Sequence, residues 1–184
     1  MFICHLHQLL WRIIIASLLC LYSISGQTIE STFQHTKFIK ASGKNITSNG
    51  HLKFVYPAYL EMKYSVPQGD YFIIDGKNVK INMNGKKATV DTDKNTTVRN
   101  QRNTLINCIT SNYEQAANDN NANISLSEKN GNKIIVISAK KIATRGYSKI
   151  TITYRKADNM PLEIILEEFN GTINTYKMSN IKKK

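Results

Sequence analysis

The clearest pattern in this chain is an alternation of apolar and polar residues within residues 33–76. Large apolar side chains occupy every second position in two successive segments, which contain Leu52, Phe54 and Tyr56 in the first and Leu60, Met62 and Tyr64 in the second. Successive side chains of a β-strand point to opposite faces, so each set lies on one side of a sheet. The stretch therefore predicts antiparallel strands that share a wide apolar face without a catalytic group.

The same alternation continues along the chain, with turn signals such as Asp75-Gly76 and Asn84-Gly85 between the segments. Residues 44–50, which are rich in Asn, Ser and Gly, are expected to form a turn region, and the last three lysines are expected to fray. The predicted strands are residues 32–39, 51–56, 59–65, 71–74, 78–83, 86–91, 123–128, 133–138, 147–155, 161–169 and 172–179.

Residues 98–117 follow a different period. Leu105, Ile109, Tyr113 and Ala116 recur at helical spacing, which predicts one helix ended by an Asn-rich segment. About ten strands and one clear helix have the rhythm of an antiparallel barrel or sandwich. The predicted fold class is mainly β, a single domain with a helical interruption at its centre.

The beginning of the chain predicts a secretory signal peptide over residues 1–26, which leaves 27–184 as the mature domain. Arg12 precedes an apolar run over residues 13–24, and small residues follow it. The run is shorter than the ~20 apolar residues that a membrane span needs. A retained anchor and lipidation at Cys20 are the alternatives that this segment leaves open.

The chain is strongly basic, with a formal net charge of +12 from 25 Lys and Arg against 13 Asp and Glu. Removal of residues 1–26 takes away Arg12 alone among the charged residues and lowers the net charge to +11. The lysines are spread over the strands and turns without a dense run, and the chain is expected to be exported. We therefore expect no nucleic-acid partner, and attraction to anionic lipid headgroups or glycans instead.

The sequence offers little for catalysis or metal binding. Cys108 is the one cysteine of the predicted mature chain, and a lone Cys in an apolar helical stretch is typical of a buried small side chain. His35 and His51 lack the spacing of a zinc motif, and Asp91 and Asp93 lack the glycine and glutamate of a calcium loop. We expect no catalytic residue, no metal and no cofactor.

Several motifs resemble the LolA-type periplasmic lipoprotein carriers in their Bacteroides-like branch. Each motif is short, and their common order along most of the predicted mature chain gives the resemblance its specificity. They are Phe33-Gln34-His35-Thr36-Lys37, which is similar to F-x-Q-x-K with one residue fewer between Phe and Gln; Ser48-Asn49-Gly50-His51-Leu52, similar to S-x-G-x-hydrophobic; the block from Tyr56-Pro57 to Pro67; Asp75-Gly76-Lys77; and the last hairpin, with Glu168-Phe169-Asn170-Gly171-Thr172 and Thr175 to Asn180.

The resemblance implies an incomplete antiparallel β-barrel of the LolA and LolB kind with a helical lid. Its apolar cavity would hold the acyl chains of a lipoprotein during transit to the outer membrane. The implied partners are an acylated lipoprotein or lipid, an inner-membrane release complex and an outer-membrane acceptor. The implied compartment is the periplasm, and we expect a monomer.

The residues expected to face the cavity come from the alternating strands, and those expected on the lid come from the helix. The cavity set is Leu52, Phe54, Tyr56, Leu60, Met62, Tyr64, Phe72, Ile74, Val79, Ile81, Ile150, Ile152 and Tyr154, and the lid set is Leu105, Ile106, Ile109 and Tyr113. The same apolar residues would also serve to fill a closed core.

The chain departs from the family pattern at three positions. Tyr56 stands where the family has the arginine that fastens the lid, and Glu61 and Met62 stand where it has an arginine and a tryptophan. These departures motivate an alternative, in which an envelope protein binds a lipid or glycolipid, or acts as a scaffold, without transporting lipoproteins. An esterase or thioesterase is a third hypothesis, which would need a base beside Cys108.

Overall fold

The computed structural model describes residues 26–184. The predicted signal peptide, together with Cys4 and Cys20, lies outside these residues except for Gly26 at its end. Within residues 26–184, no helix is both long and apolar enough to cross a membrane.

The described chain forms one antiparallel sheet of eleven strands and two helices. The strands are β1 (Thr28–Ile39), β2 (Lys44–Val55), β3 (Tyr59–Val66), β4 (Tyr71–Asp75), β5 (Asn78–Met83), β6 (Lys86–Asp91), β7 (Ala122–Lys129), β8 (Asn132–Ala139), β9 (Tyr147–Arg155), β10 (Pro161–Glu168) and β11 (Ile173–Lys183). Their order across the sheet is β6-β5-β4-β3-β2-β1-β11-β10-β9-β8-β7, so β6 and β7 are its edges and the barrel stays open. The predicted mainly β fold with an incomplete barrel is confirmed.

Strand β1 lies in the middle of the sheet because it pairs with both β2 and the last strand, β11. Backbone hydrogen bonds join the start of β1 to the residue that follows β11. The Thr28 N–H donates to the Lys184 carbonyl over 2.9 Å, and the Lys184 N–H donates to the Thr28 carbonyl over 2.8 Å. The expectation that the basic tail frays is therefore wrong, since β1 binds its backbone.

Strand β2 begins earlier than the sequence predicts. The residues expected to form a turn, 44–50, pair with β1 from Lys44 opposite Ile39 onwards, and the turn is confined to residues 40–43. The polar side chains of this segment are mostly exposed, so turn-like residues can occupy the strand when a central neighbour supplies the backbone partners. Strand β1 likewise begins at Thr28, four residues before the predicted start.

The helical segment consists of two helices, α1 (Thr96–Ile109) and α2 (Tyr113–Asp119), where the sequence predicts one. The side chain of Asn95 caps α1 by accepting the Val98 N–H over 3.0 Å. Ser111 separates the helices, with φ at 61° and its hydroxyl donating to the Asn159 carbonyl over 2.7 Å. A left-handed residue cannot continue an α-helix, which explains the break.

The core lies between the sheet and the last turn of α1. Its largest fully buried apolar side chains are Phe54, Leu60, Ile74, Val79, Ile135, Ile137, Ile150, Ile152, Tyr154 and Ile164. The last turn of α1 packs into this core through Ile106, Cys108 and Ile109. The buried Tyr154 hydroxyl donates to the Cys108 carbonyl over 2.7 Å, which fixes the end of α1 against β9.

Candidate functional site

A cavity of about 440 Å³ lies between the sheet and α1, beside the core. It lies towards the end of the sheet where β1, β3, β5, β8 and β10 finish, which we call the mouth end. Residues from the turns of that end, Pro67 and Asn84, are part of its wall. The cavity is therefore a space left between the strands and α1.

The walls of the cavity are mainly apolar. Five of the predicted cavity residues line it, and these are Met62 and Tyr64 on β3, Phe72 on β4, and Val79 and Ile81 on β5. Leu105 of the predicted lid set lines it from α1. Strands β3, β4 and β5 are neighbours, so the alternating pattern of the sequence brings these side chains together on one wall.

The remaining predicted cavity residues occupy other places. Leu52, Phe54, Leu60, Ile74, Ile150, Ile152 and Tyr154 are buried in the core and are not part of the cavity lining. Tyr56 is 39% exposed and borders a separate groove beside Ile109 and Ser111. A cavity role for these residues stays a prediction.

The remaining lid residues also lie away from the cavity wall. Ile106 and Ile109 are buried in the core. Tyr113 is on α2, where its ring centre is 6.4 Å from that of Tyr154. A role in a lid stays a prediction for these residues too.

One face of α1 closes the cavity from above. Val98, Gln101, Arg102 and Leu105 line it at spacings of three, one and three residues, so they share a helix face. The same helix therefore has two functions along its length, since its first half covers the cavity and its last turn is fixed in the core.

A polar corner built on β1 and β11 was missed by the sequence interpretation. His35 Nε2 lies 3.1 Å from Asn174 Oδ1, and the imidazole ring stacks on Tyr176 with ring centres 4.4 Å apart. All three residues line the cavity. Burial lowers the pKa of His35 below its usual value of 6.5, and the nearby charge of Lys37 lowers it further. The alternation of side chains along a strand could have placed His35 and Lys37 on the inner face, because they follow the buried Phe33 at every second position.

Charged side chains also line the cavity. Lys37 and Arg102 line the cavity, and the Nε of Arg102 is buried without a hydrogen-bond partner within residues 26–184. Asp70 is 7% exposed and accepts the Asn84 N–H over 2.8 Å. Burial, with the charge of Asp70, raises the pKa of Tyr64 to about 12, so its hydroxyl stays protonated at neutral pH. The cavity lining thus offers hydrogen-bond donors and cations beside a larger apolar surface.

The residues of the family departures lie in different environments. Met62 is buried on the cavity wall, where its flexible thioether can adapt to different ligand shapes. Glu61 is on the opposite face of β3, where it accepts a hydrogen bond from the Tyr59 hydroxyl over 3.0 Å and pairs with Lys63 over 3.0 Å.

The geometry favours binding over chemistry. Cys108 is fully buried, and burial raises the pKa of its thiol to about 12, which keeps it protonated and poorly nucleophilic. In the described part of the chain, no three His, Cys, Asp or Glu side chains gather as metal ligands. An apolar cavity with a few polar groups at one side is typical of a site for an amphiphilic small molecule.

Comparison with known proteins gives one extended match. The family model described as outer membrane lipoprotein carrier protein LolA matches residues 25–184. No curated protein sequence matches the chain.

Among solved structures, three similar ones are a LolA superfamily protein from Nitrosomonas europaea, a DUF1329 family protein from Desulfovibrio piger and the lipoprotein LppX from Mycobacterium tuberculosis. The first is 8% identical with a TM-score of 0.39, and the alignment covers 87% of this chain and 86% of that one. The second is 9% identical with a TM-score of 0.40, covering 91% and 89%. The third is 9% identical with a TM-score of 0.39, covering 91% and 92%. At similarities this low, the family model is the comparison that carries weight.

Proposed function

Because this chain belongs to the LolA family, we propose that it is a periplasmic carrier that binds the acyl chains of lipoproteins in its cavity and delivers them to the outer membrane. The observation that carries the proposal is the mainly apolar cavity of about 440 Å³ between the open sheet and α1. Its volume falls in the range of roughly 300–1,000 Å³ that is usual for small-molecule sites.

The physical basis of binding is the transfer of methylene groups out of water. Each buried methylene contributes ~0.8 kcal/mol, so about ten of them contribute on the order of 8 kcal/mol. Loss of translational and rotational freedom opposes this by at least several kcal/mol. The balance is a reversible complex, which suits a carrier that must also release its cargo.

The polar corner gives the cargo an orientation. An acylated molecule has an apolar chain and a polar end, and the cavity has an apolar wall on β3–β5 and polar groups at His35, Lys37 and Arg102. We place the chain against the apolar wall and the polar end against these groups. The inner-membrane release complex and the outer-membrane acceptor remain proposed partners, and the carrier acts as a monomer without catalysis.

A fluorescent fatty acyl probe tests the proposal. We expect saturable binding to the wild type and at least tenfold weaker binding to Ile81→Lys, because the new ammonium group enters the apolar wall of the cavity. The matched control is Leu126→Lys, which makes the same kind of change on β7 at a side chain that is 62% exposed and leaves probe binding unchanged. Equal affinities for the two variants, or no binding to the wild type, would contradict the proposal.

The alternative is an envelope protein that binds a lipid or glycolipid, or acts as a scaffold, without lipoprotein transport. Tyr56 favours it, since it occupies the place of the family's lid arginine, and so does Met62 in place of the tryptophan. The two functions differ in one assay. A carrier releases newly made lipoproteins from inner-membrane vesicles into solution, whereas the alternative binds the probe and releases none.

A further inference from the structure

Three of the six exposed large apolar side chains within residues 26–184 lie at the mouth end. Ile46 is 50% exposed near the start of β2, Val66 is 57% exposed at the end of β3, and Ile142 is 94% exposed in the turn between β8 and β9. All three lie in or beside the turns of the mouth end. We call these turns and the residues that flank them, 40–46, 66–70, 84–87, 140–146 and 169–172, the mouth rim.

The mouth rim is also basic. Its exposed cations come from three separate turns, which explains why no dense basic run is visible in the sequence. They are Lys40 and Lys44 beside the first hairpin turn, Lys86 and Lys87 after the turn between β5 and β6, and Lys140, Lys141 and Arg145 around Ile142.

These cations are not neutralised by neighbouring acids. Within residues 26–184, none of them takes part in an ion pair, and the ion pairs of the described chain lie on the strands or at the opposite end. The nearby acids accept hydrogen bonds from neutral groups and do not pair with these cations. Asp70 is buried and bound to the Asn84 N–H, Glu168 accepts from Asn170 and Asn174, and Asp119 accepts from Asn107 and Gln115.

From these observations we propose that the mouth rim docks on the surface of an anionic phospholipid bilayer. Ile142 inserts below the headgroups, and Lys140, Lys141 and Arg145 contact the phosphates around it. Apolar side chains that project singly among cations fit a fluid anionic surface, since a protein partner would favour a continuous apolar patch of defined shape. The docked orientation turns the cavity towards the lipid, so a cargo chain would pass between them with little exposure to water.

The proposal does not depend on the cavity being filled, because the side chains proposed to touch the bilayer, Ile142 and the three cations around it, do not line the cavity. It is therefore tested with cargo-free protein and plain vesicles. In a co-sedimentation assay at low salt, we expect binding to vesicles of equal parts phosphatidylglycerol and phosphatidylcholine, and little binding to pure phosphatidylcholine. Raising the salt concentration weakens the binding, because the ions screen the exposed charges.

Two pairs of variants locate the contact. The triple variant Lys140→Gln/Lys141→Gln/Arg145→Gln lowers the partition coefficient on the order of 100-fold, at about fivefold per cation. Its matched control, Lys94→Gln/Lys129→Gln/Lys183→Gln, removes the same charge away from the rim and changes the partition coefficient much less. Ile142→Ser lowers it by roughly tenfold, whereas Leu126→Ser, at an exposed apolar residue of β7, leaves it unchanged.

The substituted side chains are exposed, so the variants are expected to fold, and circular dichroism verifies this. Three results would overturn the proposal: equal binding to anionic and neutral vesicles, no binding to anionic vesicles at low salt, or equal losses for the rim triple variant and its control. Acyl probe binding in solution by the rim variants stays at the wild-type level, so failure of docking is distinguishable from failure of the proposed carrier function.

Discussion

At the scale of single residues, Gly50 determines how closely β1, β2 and β3 pack beside the cavity. It is buried opposite Phe33 on β1, and a Cβ at this position would meet the Lys63 carbonyl oxygen and would lie 2.7 Å from the Phe33 ring. The Phe33 ring in turn packs edge-on against Tyr64 of the cavity wall, with ring centres 5.2 Å apart. The glycine of the predicted family motif therefore has a packing role that its sequence context alone does not reveal.

The substitution Gly50→Ala tests this role. Since the added methyl group must displace backbone on one side and an aromatic ring on the other, we expect it to lower the free energy of unfolding by roughly 1–3 kcal/mol. The neighbouring Asn49→Ala changes an exposed residue of the same strand and should stay within about 0.5 kcal/mol of the wild type. Urea unfolding measures both, and equal midpoints for the two variants would disprove the packing argument.

His35 makes a second prediction, which concerns pH. Burial lowers its pKa in the folded protein below the usual 6.5, so the unfolded chain binds the proton more readily. The contribution of neutral His35 to the free energy of unfolding is fully present above the pKa of His35 in the unfolded chain, about 6.5. It is lost as the pH falls from there towards the lower pKa of the folded protein. Between pH 7.5 and 5.5, the wild type should lose more stability than His35→Gln, whereas the control His51→Gln, at an exposed residue, follows the wild type. Parallel curves for all three proteins would refute the prediction.

At the scale of strands and helices, the period of the sequence predicts the elements well and their ends less well. Strands β3, β5 and β9 match their predicted ranges closely because hairpin turns and clean alternation mark both ends. Strand β2 begins earlier because β1 provides backbone partners for residues that otherwise favour turns. At the helix break, Ser111 donates a hydrogen bond to Asn159, which is distant in sequence, so local periodicity cannot show this contact.

At the scale of the whole molecule, the sequence predicts an apolar sheet face, but it does not divide that face into core and cavity. Phe54 and Met62 have the same place in the alternating pattern and both are buried, yet Met62 lines the cavity and Phe54 does not. Whether a residue lines the cavity depends on its position along its strand and on where α1 crosses the sheet. Both follow from the strand pairing across the sheet and from the attachment of α1 to Tyr154, which involve residues far apart along the chain.

The central claim is that an acyl chain occupies the cavity between α1 and strands β3–β5, and photo-crosslinking tests it most directly. A fatty acid with a photoreactive group near the end of its chain is bound to the wild type, irradiated and located by mass spectrometry of peptides. We expect saturable labelling of Met62, Phe72, Ile81 and Leu105, and its loss when unlabelled fatty acid competes. Labelling concentrated at Leu126 on the β7 edge or at Tyr56 in the separate groove, or labelling that no competitor reduces, would contradict the account.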